Sequence, residues 1–226
     1  MTDSDRTAAA AADGPGRFPG FDVLHEVGHW DPVTAGVVLD RLGRPPDIRF
    51  FTPAEEATAT ALLAQLLDLD DDPAVPVAAM IDARLAEQQT DGWRYQSMAE
   101  DGRAWRDSLA GLDADAQARH GRGFAQCGSR QQGALLTDIH GLGSGEWHAM
   151  PAAAVWSLWT RYACTAFYSH PVTWNEIGFP GPAYPRGYKN PGIDTREPFE
   201  VADARPLDNP AGQVSRHHPV RTGIES

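Results

Sequence analysis

Apolar residues recur at helical spacing along most of the chain, in runs separated by Gly- or Pro-containing breaks. In the first run, Leu62, Leu63, Leu66 and Leu67 form one apolar stripe. The runs predict five helices, over residues 52–67, 77–89, 101–119, 129–140 and 151–169, with Gly111 as a candidate break in the third. No run alternates as a strand would. The predicted fold is therefore all-α, a bundle of about five helices.

Local signals mark the ends of these helices. Thr52 and Glu55 fit a capping box, and Pro53 suits the first turn. Asp31-Pro32 could open a further short helix that ends near Leu42, before Gly43 and Pro45-Pro46. Pro171 is expected to end the fifth helix.

The regions outside the bundle differ in composition. We predict a disordered tail at 1–17, an irregular N-terminal arm at 18–49, the helical domain at 50–170, an ordered arm at 171–205 and a flexible tail at 206–226. The arm at 171–205 is rich in Pro and Gly, which oppose regular structure, yet it is too aromatic for a solvated linker. It must lie against its own bundle or against a partner.

Composition and charge exclude several classes of protein. The 226 residues are 42% hydrophobic and 22% charged, as in an ordinary globular domain, and the net charge is −12. This charge argues against nucleic acid and anionic membrane surfaces as partners. Cys127 and Cys164 form no haem or zinc pattern; Cys164 is expected to be buried, and a disulfide between the two stays open.

No apolar run is long enough to span a bilayer, and residues 1–20 lack the apolar segment of a secretory signal. We therefore expect a cytoplasmic location, with export alongside a folded partner as the alternative.

Two segments hold candidate chemistry. His25, Glu26 and His29 match the zinc-protease pattern H-E-x-x-H, but Gly28 and Pro32 disfavour the stable helix that this site needs, so an incidental match is the preferred interpretation. The glycines of 141–145 follow no strand and fit no dinucleotide or P-loop pattern. The chain itself is thus predicted to bind no cofactor.

The fifth helix is apolar around more than half of its circumference. Such a helix is either the centre of its own bundle or packs one face inside and docks the other on a partner. His170, at its end, is expected to cap the helix by satisfying terminal carbonyls, with a contact to a partner as the alternative.

The order of these motifs resembles the gluconate 2-dehydrogenase subunit 3 family over roughly residues 48–200. The matching segments are Phe50-Phe51-Thr52-Pro53 before a helix, Val75-Pro76-Val77 before the next, Phe167-Tyr168-Ser169-His170-Pro171, Trp174-Asn175-Glu176-Ile177-Gly178-Phe179 and Pro185-Arg186-Gly187-Tyr188.

The resemblance implies a non-catalytic small subunit of a glucose-methanol-choline type dehydrogenase acting on a sugar or polyol. FAD would then lie in a large partner subunit, and a cytochrome c subunit is a further possible partner. The residues expected at the partner interface are Trp156, Trp159, Tyr162, Phe167, Tyr168, His170, Trp174, Glu176, Phe179, Tyr184, Arg186 and Tyr188. A zinc hydrolase using His25, Glu26 and His29, and a self-contained helical scaffold, are the alternatives.

Overall fold

The computed structural model describes residues 18, 20–69, 74–183, 187, 195, 197 and 200. The chain divides into two compact units, one formed by residues 36–173 and the other by residues 1–35 together with 174–226.

The predicted all-α fold is confirmed. The helices are α1 (Pro32–Asp40), α2 (Pro53–Leu67), α3 (Val77–Ala86), α4 (Asp101–His120), α5 (Ser129–Gly141), α6 (Ala152–Tyr168) and α7 (Pro171–Ile177), with 3₁₀ segments at Val23–His29 and Phe124–Gln126. Among the described residues, no helix is both long and apolar enough to cross a bilayer.

The capping box at the start of α2 is confirmed. Thr52 Oγ1 accepts the Glu55 N–H at 3.3 Å, and Glu55 Oε2 accepts the Thr52 N–H at 2.8 Å. These bonds satisfy N–H groups that a helix N-terminus otherwise leaves open. The helix ends at Asp68, whose φ of 52° is left-handed. Residues 70–73, which include Asp70, Asp71 and Asp72, lie outside the described residues.

The core of the 36–173 unit is enclosed by α2, α3, α4, α5 and α6. Trp105 of α4 is fully buried at its centre and makes edge contacts with Phe51 at 6.1 Å and Tyr162 at 5.8 Å between ring centroids. The largest fully buried aliphatic side chains around it are Leu62, Leu63, Ile81, Leu109, Leu112 and Leu135. The apolar stripes that predicted the helices are thus the surfaces that meet in the core.

A buried carboxylate joins α3 to the chain just before α2. Asp82 has no exposed surface, and its oxygens accept the backbone N–H groups of Arg49 at 2.7 Å, Phe50 at 3.0 Å and Phe51 at 2.7 Å. This carboxylate holds Phe51 in position against Trp105.

Helix α4 runs unbroken through Gly111, which the sequence marked as a candidate break. The glycine is needed for close packing, because a Cβ there would lie 2.8 Å from Cη2 of Trp147. Trp147 belongs to a hairpin of two very short strands, β1 (Glu146–Trp147) and β2 (Met150–Pro151), paired Glu146 to Pro151 and Trp147 to Met150. Strands of two residues are too short to show an alternating pattern, so the sequence did not predict them.

Three local expectations were wrong. Helix α3 ends at Ala86 rather than near Gln89, because Gln88 adopts a left-handed φ of 54°. Cys164 is exposed on α6, and both cysteines are free thiols. The fifth predicted helix ends before Pro171 as expected, but the arm that follows does not begin as irregular chain, because Pro171 opens a new helix, α7. A proline lacks only an N–H group that the first helical turn leaves unbonded anyway.

Candidate partner interface

Two of the aromatic residues expected at an interface belong to the core. Trp159 is fully buried and donates from Nε1 to Ser108 Oγ at 2.9 Å. Tyr162 is 1% exposed and donates its hydroxyl to Asp101 Oδ2 at 2.7 Å. Because α4 satisfies the polar atoms of both side chains, they could reach a partner only if the bundle opened. Trp156 is half-buried and packs on His140, with ring centroids 4.7 Å apart.

Tyr162 also lies in a stack of aromatic rings and guanidinium groups. Arg84 stacks over its ring at 4.8 Å, and Arg161 lies 5.1 Å from the same ring and 4.9 Å from that of Trp93. Asp91 accepts hydrogen bonds from both arginines. Burial, and then the hydrogen bond to Asp101, raise the pKa of Tyr162, while burial lowers the pKa of Arg161. The stack therefore fixes the loop after α3 against α6.

At the end of α6, His170 is buried and does not cap that helix with its ring. Its Nδ1 accepts the Val172 N–H at 3.3 Å, and its Nε2 donates to the Arg41 carbonyl at 2.8 Å. The ring therefore bonds the first turn of α7 and the residue that follows α1. Burial lowers the pKa of His170, which favours this neutral form. Its neighbour Tyr168 is 49% exposed, and Phe167 is half-buried.

The unit formed by 1–35 and 174–226 has its own small packed cluster. Trp174 is 4% exposed and makes an edge contact with Phe179, with centroids 5.3 Å apart. Asn175 Oδ1 accepts the Val23 N–H at 2.8 Å, and Gly181, with φ of 76°, lies against Trp30. Trp174 is therefore an anchor within this unit.

The other predicted interface residues differ in placement. Glu176 is exposed, and Phe179 is exposed by 36%. Tyr184, Arg186 and Tyr188 lie outside the described residues.

The His25-Glu26-x-x-His29 segment forms a 3₁₀-helix, Val23–His29, whose start is capped by Asp22. With three residues per turn, side chains four apart diverge by about 120°, whereas an α-helix would bring them within about 40°. Both histidines are exposed. Within the part of the chain that the structure describes, no group of three or more His, Cys, Asp or Glu side chains is placed to hold a metal ion. The backbone thus lacks the helix that this zinc motif requires.

Comparison with models of known families assigns the chain to a family. The family model for gluconate 2-dehydrogenase subunit 3 matches residues 53–181, more than half of the sequence. The chain belongs to the gluconate 2-dehydrogenase subunit 3 family. No curated protein and no solved structure matches it significantly.

The exposed apolar side chains of this subunit 3 chain indicate candidate interface residues that its sequence alone did not. Most of the large apolar side chains with more than a third of their surface exposed fall in two short segments, 24–42 and 168–179: Leu24, Val33, Val37, Leu39, Leu42, Tyr168, Val172, Ile177 and Phe179. Only Trp93, Tyr95 and Leu142 share this exposure elsewhere among the described residues. Those of the two segments that belong to the 36–173 unit are Val37, Leu39, Leu42, Tyr168 and Val172, and several exposed apolar groups on one unit are typical of a protein interface.

Sequence reasoning did not predict the exposed apolar side chains on α1. Val33 is 75% exposed and Val37 53% exposed, while Val38 on the other side of the helix is buried. The available signal was a short helix with apolar residues all around it, which cannot bury every side against a single core.

Proposed function

We propose that this subunit 3 chain is the non-catalytic accessory subunit of an FAD-dependent sugar or polyol dehydrogenase. It stabilises the large subunit, which carries FAD, and covers part of its surface. Electrons leave the flavin through a carrier on a further subunit, such as a cytochrome c, or through a diffusible acceptor. The subunit 3 designation of the family supports a place among several chains.

The observation that carries this proposal is the set of exposed apolar side chains on the 36–173 unit. Those in residues 36–42 and 168–172 are Val37, Leu39, Leu42, Tyr168 and Val172, which we call the apolar rim. Leaving such groups in water forgoes about 25 cal/mol for each Å² of apolar area, and a docked partner restores that free energy.

Two buried carboxylates, Asp82 and Asp101, and the half-buried Asp113 support a structural role. Asp82 binds three backbone N–H groups, Asp101 binds Tyr162, and Asp113 accepts from Thr58 Oγ1 and from the Phe124 N–H. Each carboxylate is used to join segments far apart in the sequence. The hydrogen bonds of these carboxylates therefore stabilise the bundle.

Co-purification tests the proposal, with two matched leucines as variant and control. Leu42 belongs to the apolar rim and is 37% exposed, and Leu142, in the turn after α5, is 44% exposed. The tagged full-length chain, expressed in its own host, should bring down one larger chain with stoichiometric FAD and sugar- or polyol-dependent dye reduction.

Leu42→Glu should reduce the recovered FAD, because it places a charge within the docking surface, and Leu142→Glu should not. The melting temperatures of the two isolated variants should match that of the parent chain. Absence of any FAD-bearing chain in the parent preparation would refute the proposal, as would bound FAD on the isolated subunit.

A further inference from the structure

The 36–173 unit contains an open cleft of about 370 Å³ beside the apolar rim. It lies between residues 40–46, helix α3 with the preceding Pro76, and the last two turns of α6. Tyr162, Thr165 and Ala166 of α6 and its C-cap residue Ser169 line it from one helix face. Its apolar walls come from Pro45, Pro46, Pro76, Met80, Ile81 and Ala83.

The walls of the cleft are held in place by hydrogen bonds. Arg84 donates from Nε to the Gln89 carbonyl at 3.0 Å, bonds to Asp91 and stacks on Tyr162. On the opposite side, Arg41 donates from Nη1 to the Ser169 carbonyl at 2.6 Å. A cleft with preformed walls can bind a partner without the entropy cost of ordering its own side chains.

The charges at the cleft are balanced, in contrast to the −12 of the whole chain. Arg44 pairs with Asp47, Arg84 with Asp91, and Glu87 with Arg49. Of the remaining lining charges, Arg41 and Asp40 are adjacent and opposite. An uncharged segment can therefore enter this cleft without burying an unpaired charge. An acidic or basic segment would bury a charge that has no partner there.

The apolar rim adjoins the cleft along the chain. Leu39 and Leu42 flank the lining residues Asp40 and Arg41, and Tyr168 precedes the lining residue Ser169. Val172 is joined to the lining residue Arg41 through His170, whose ring accepts the Val172 N–H and donates to the Arg41 carbonyl. A pocket whose lining residues alternate along the chain with exposed apolar residues fits an anchor side chain whose neighbours exclude water.

We propose that this cleft receives an uncharged, apolar segment of the FAD-carrying subunit, with a large side chain of that segment seated between α3 and α6. The inference rests on the proposed function and adds to it the place of contact and the chemistry of the partner segment. The apolar rim favours a protein segment over a small sugar, which would leave the rim in water.

Two alanines on α3 provide a blocking variant and its control. Ala83 lines the cleft, and Ala79, one turn earlier on the same helix, does not; both are half-buried. Ala83→Phe fills the cleft and should lower the FAD recovered with the tagged full-length chain on the order of tenfold or more, whereas Ala79→Phe should leave it unchanged. If Ala83→Phe lowers the melting temperature, Thr165→Phe, at an exposed lining position of α6, replaces it.

Site-specific photo-crosslinking checks the contact directly. A benzoylphenylalanine at Thr165 should crosslink to the FAD-bearing chain, and one at the exposed Ala118 of α4 should not. If FAD-bearing chain is recovered equally with both alanine variants and no crosslink forms at Thr165, the cleft assignment is overturned while the proposed function stands. If the parent chain recovers none, the proposed function fails and this inference fails with it. Saturation transfer from free glucose or sorbitol to the isolated chain, abolished by Ala83→Phe, would instead make the cleft a sugar site and overturn the proposal.

Discussion

Replacing Asp82 tests how much of the bundle depends on one buried carboxylate. In the parent chain, the N–H groups of Phe50 and Phe51 both donate to Oδ1 of Asp82. In Asp82→Asn, the single side-chain oxygen can still accept both of these hydrogen bonds. The new amide group then faces the Arg49 N–H, so one charge-assisted bond becomes a contact between two donors. Leaving one donor unsatisfied costs about 1–3 kcal/mol.

Asp82→Ala removes all three acceptors and should cost more. Three unsatisfied N–H groups set an upper range of roughly 3–9 kcal/mol, and relief from burying a charge offsets part of it. We therefore expect a loss of about 4 kcal/mol for Ala and about 2 kcal/mol for Asn. Phe51 should also lose its fixed position against Trp105.

Urea unfolding followed by far-UV circular dichroism measures these losses, because α2 to α6 all lie in the 36–173 unit. Asp47→Asn is the control: it makes the same chemical change at a carboxylate whose side chain is 76% exposed, where a surface ion pair is worth at most about 1 kcal/mol. Equal unfolding midpoints for Asp82→Asn and Asp47→Asn would refute the assignment of Asp82 as a structural acceptor.

Four further predictions concern single residues. Trp174→Ala should lower the melting temperature of the isolated chain, since losing a buried Trp costs about 3–5 kcal/mol; an unchanged melting temperature combined with weaker partner binding would show that Trp174 is an interface residue. Gly111→Ala should destabilise by about 1–2 kcal/mol, as overpacking against Trp147 outweighs the gain in helix propensity, and a stabilised variant in urea unfolding would contradict this. Because burial lowers the pKa of His170, its neutral form contributes stability that is complete above the unfolded pKa of about 6.5 and is lost as pH falls below it. Between pH 7 and 5, the melting temperature of His170→Gln should therefore fall less than that of the parent chain. Parallel plots of melting temperature against pH for the two proteins would argue against the hydrogen bonds of the His170 ring. Zinc should leave the melting temperature of the parent chain unchanged, and a zinc-induced rise that His25→Ala abolishes would restore the metal site.

Sequence reasoning succeeded where the structure depends on neighbouring residues. The capping box of Thr52 and Glu55 spans three positions, so its geometry follows from local spacing alone. The prediction that Pro171 ends the fifth helix is confirmed, but sequence reasoning missed α7, because a proline that ends one helix is equally suited to begin another.

The candidate interface was harder to predict because it depends on pairs that are distant in the sequence. Tyr162 and Asp101 are separated by 61 residues, and their hydrogen bond turns an apparent interface tyrosine into a core residue. The exposure of Val37 likewise depends on which side of α1 is buried, which the apolar pattern of so short a helix does not specify.

The two free thiols differ in a way that is of practical use. Cys127 is buried and Cys164 is exposed on α6, one residue before the cleft residue Thr165. A maleimide dye should therefore attach at one position of the unmodified sequence, with no engineered cysteine. If the FAD-carrying subunit docks at the cleft as we propose, binding should shield this dye from solvent and change its emission, so the natural sequence supports an optical titration of the proposed complex.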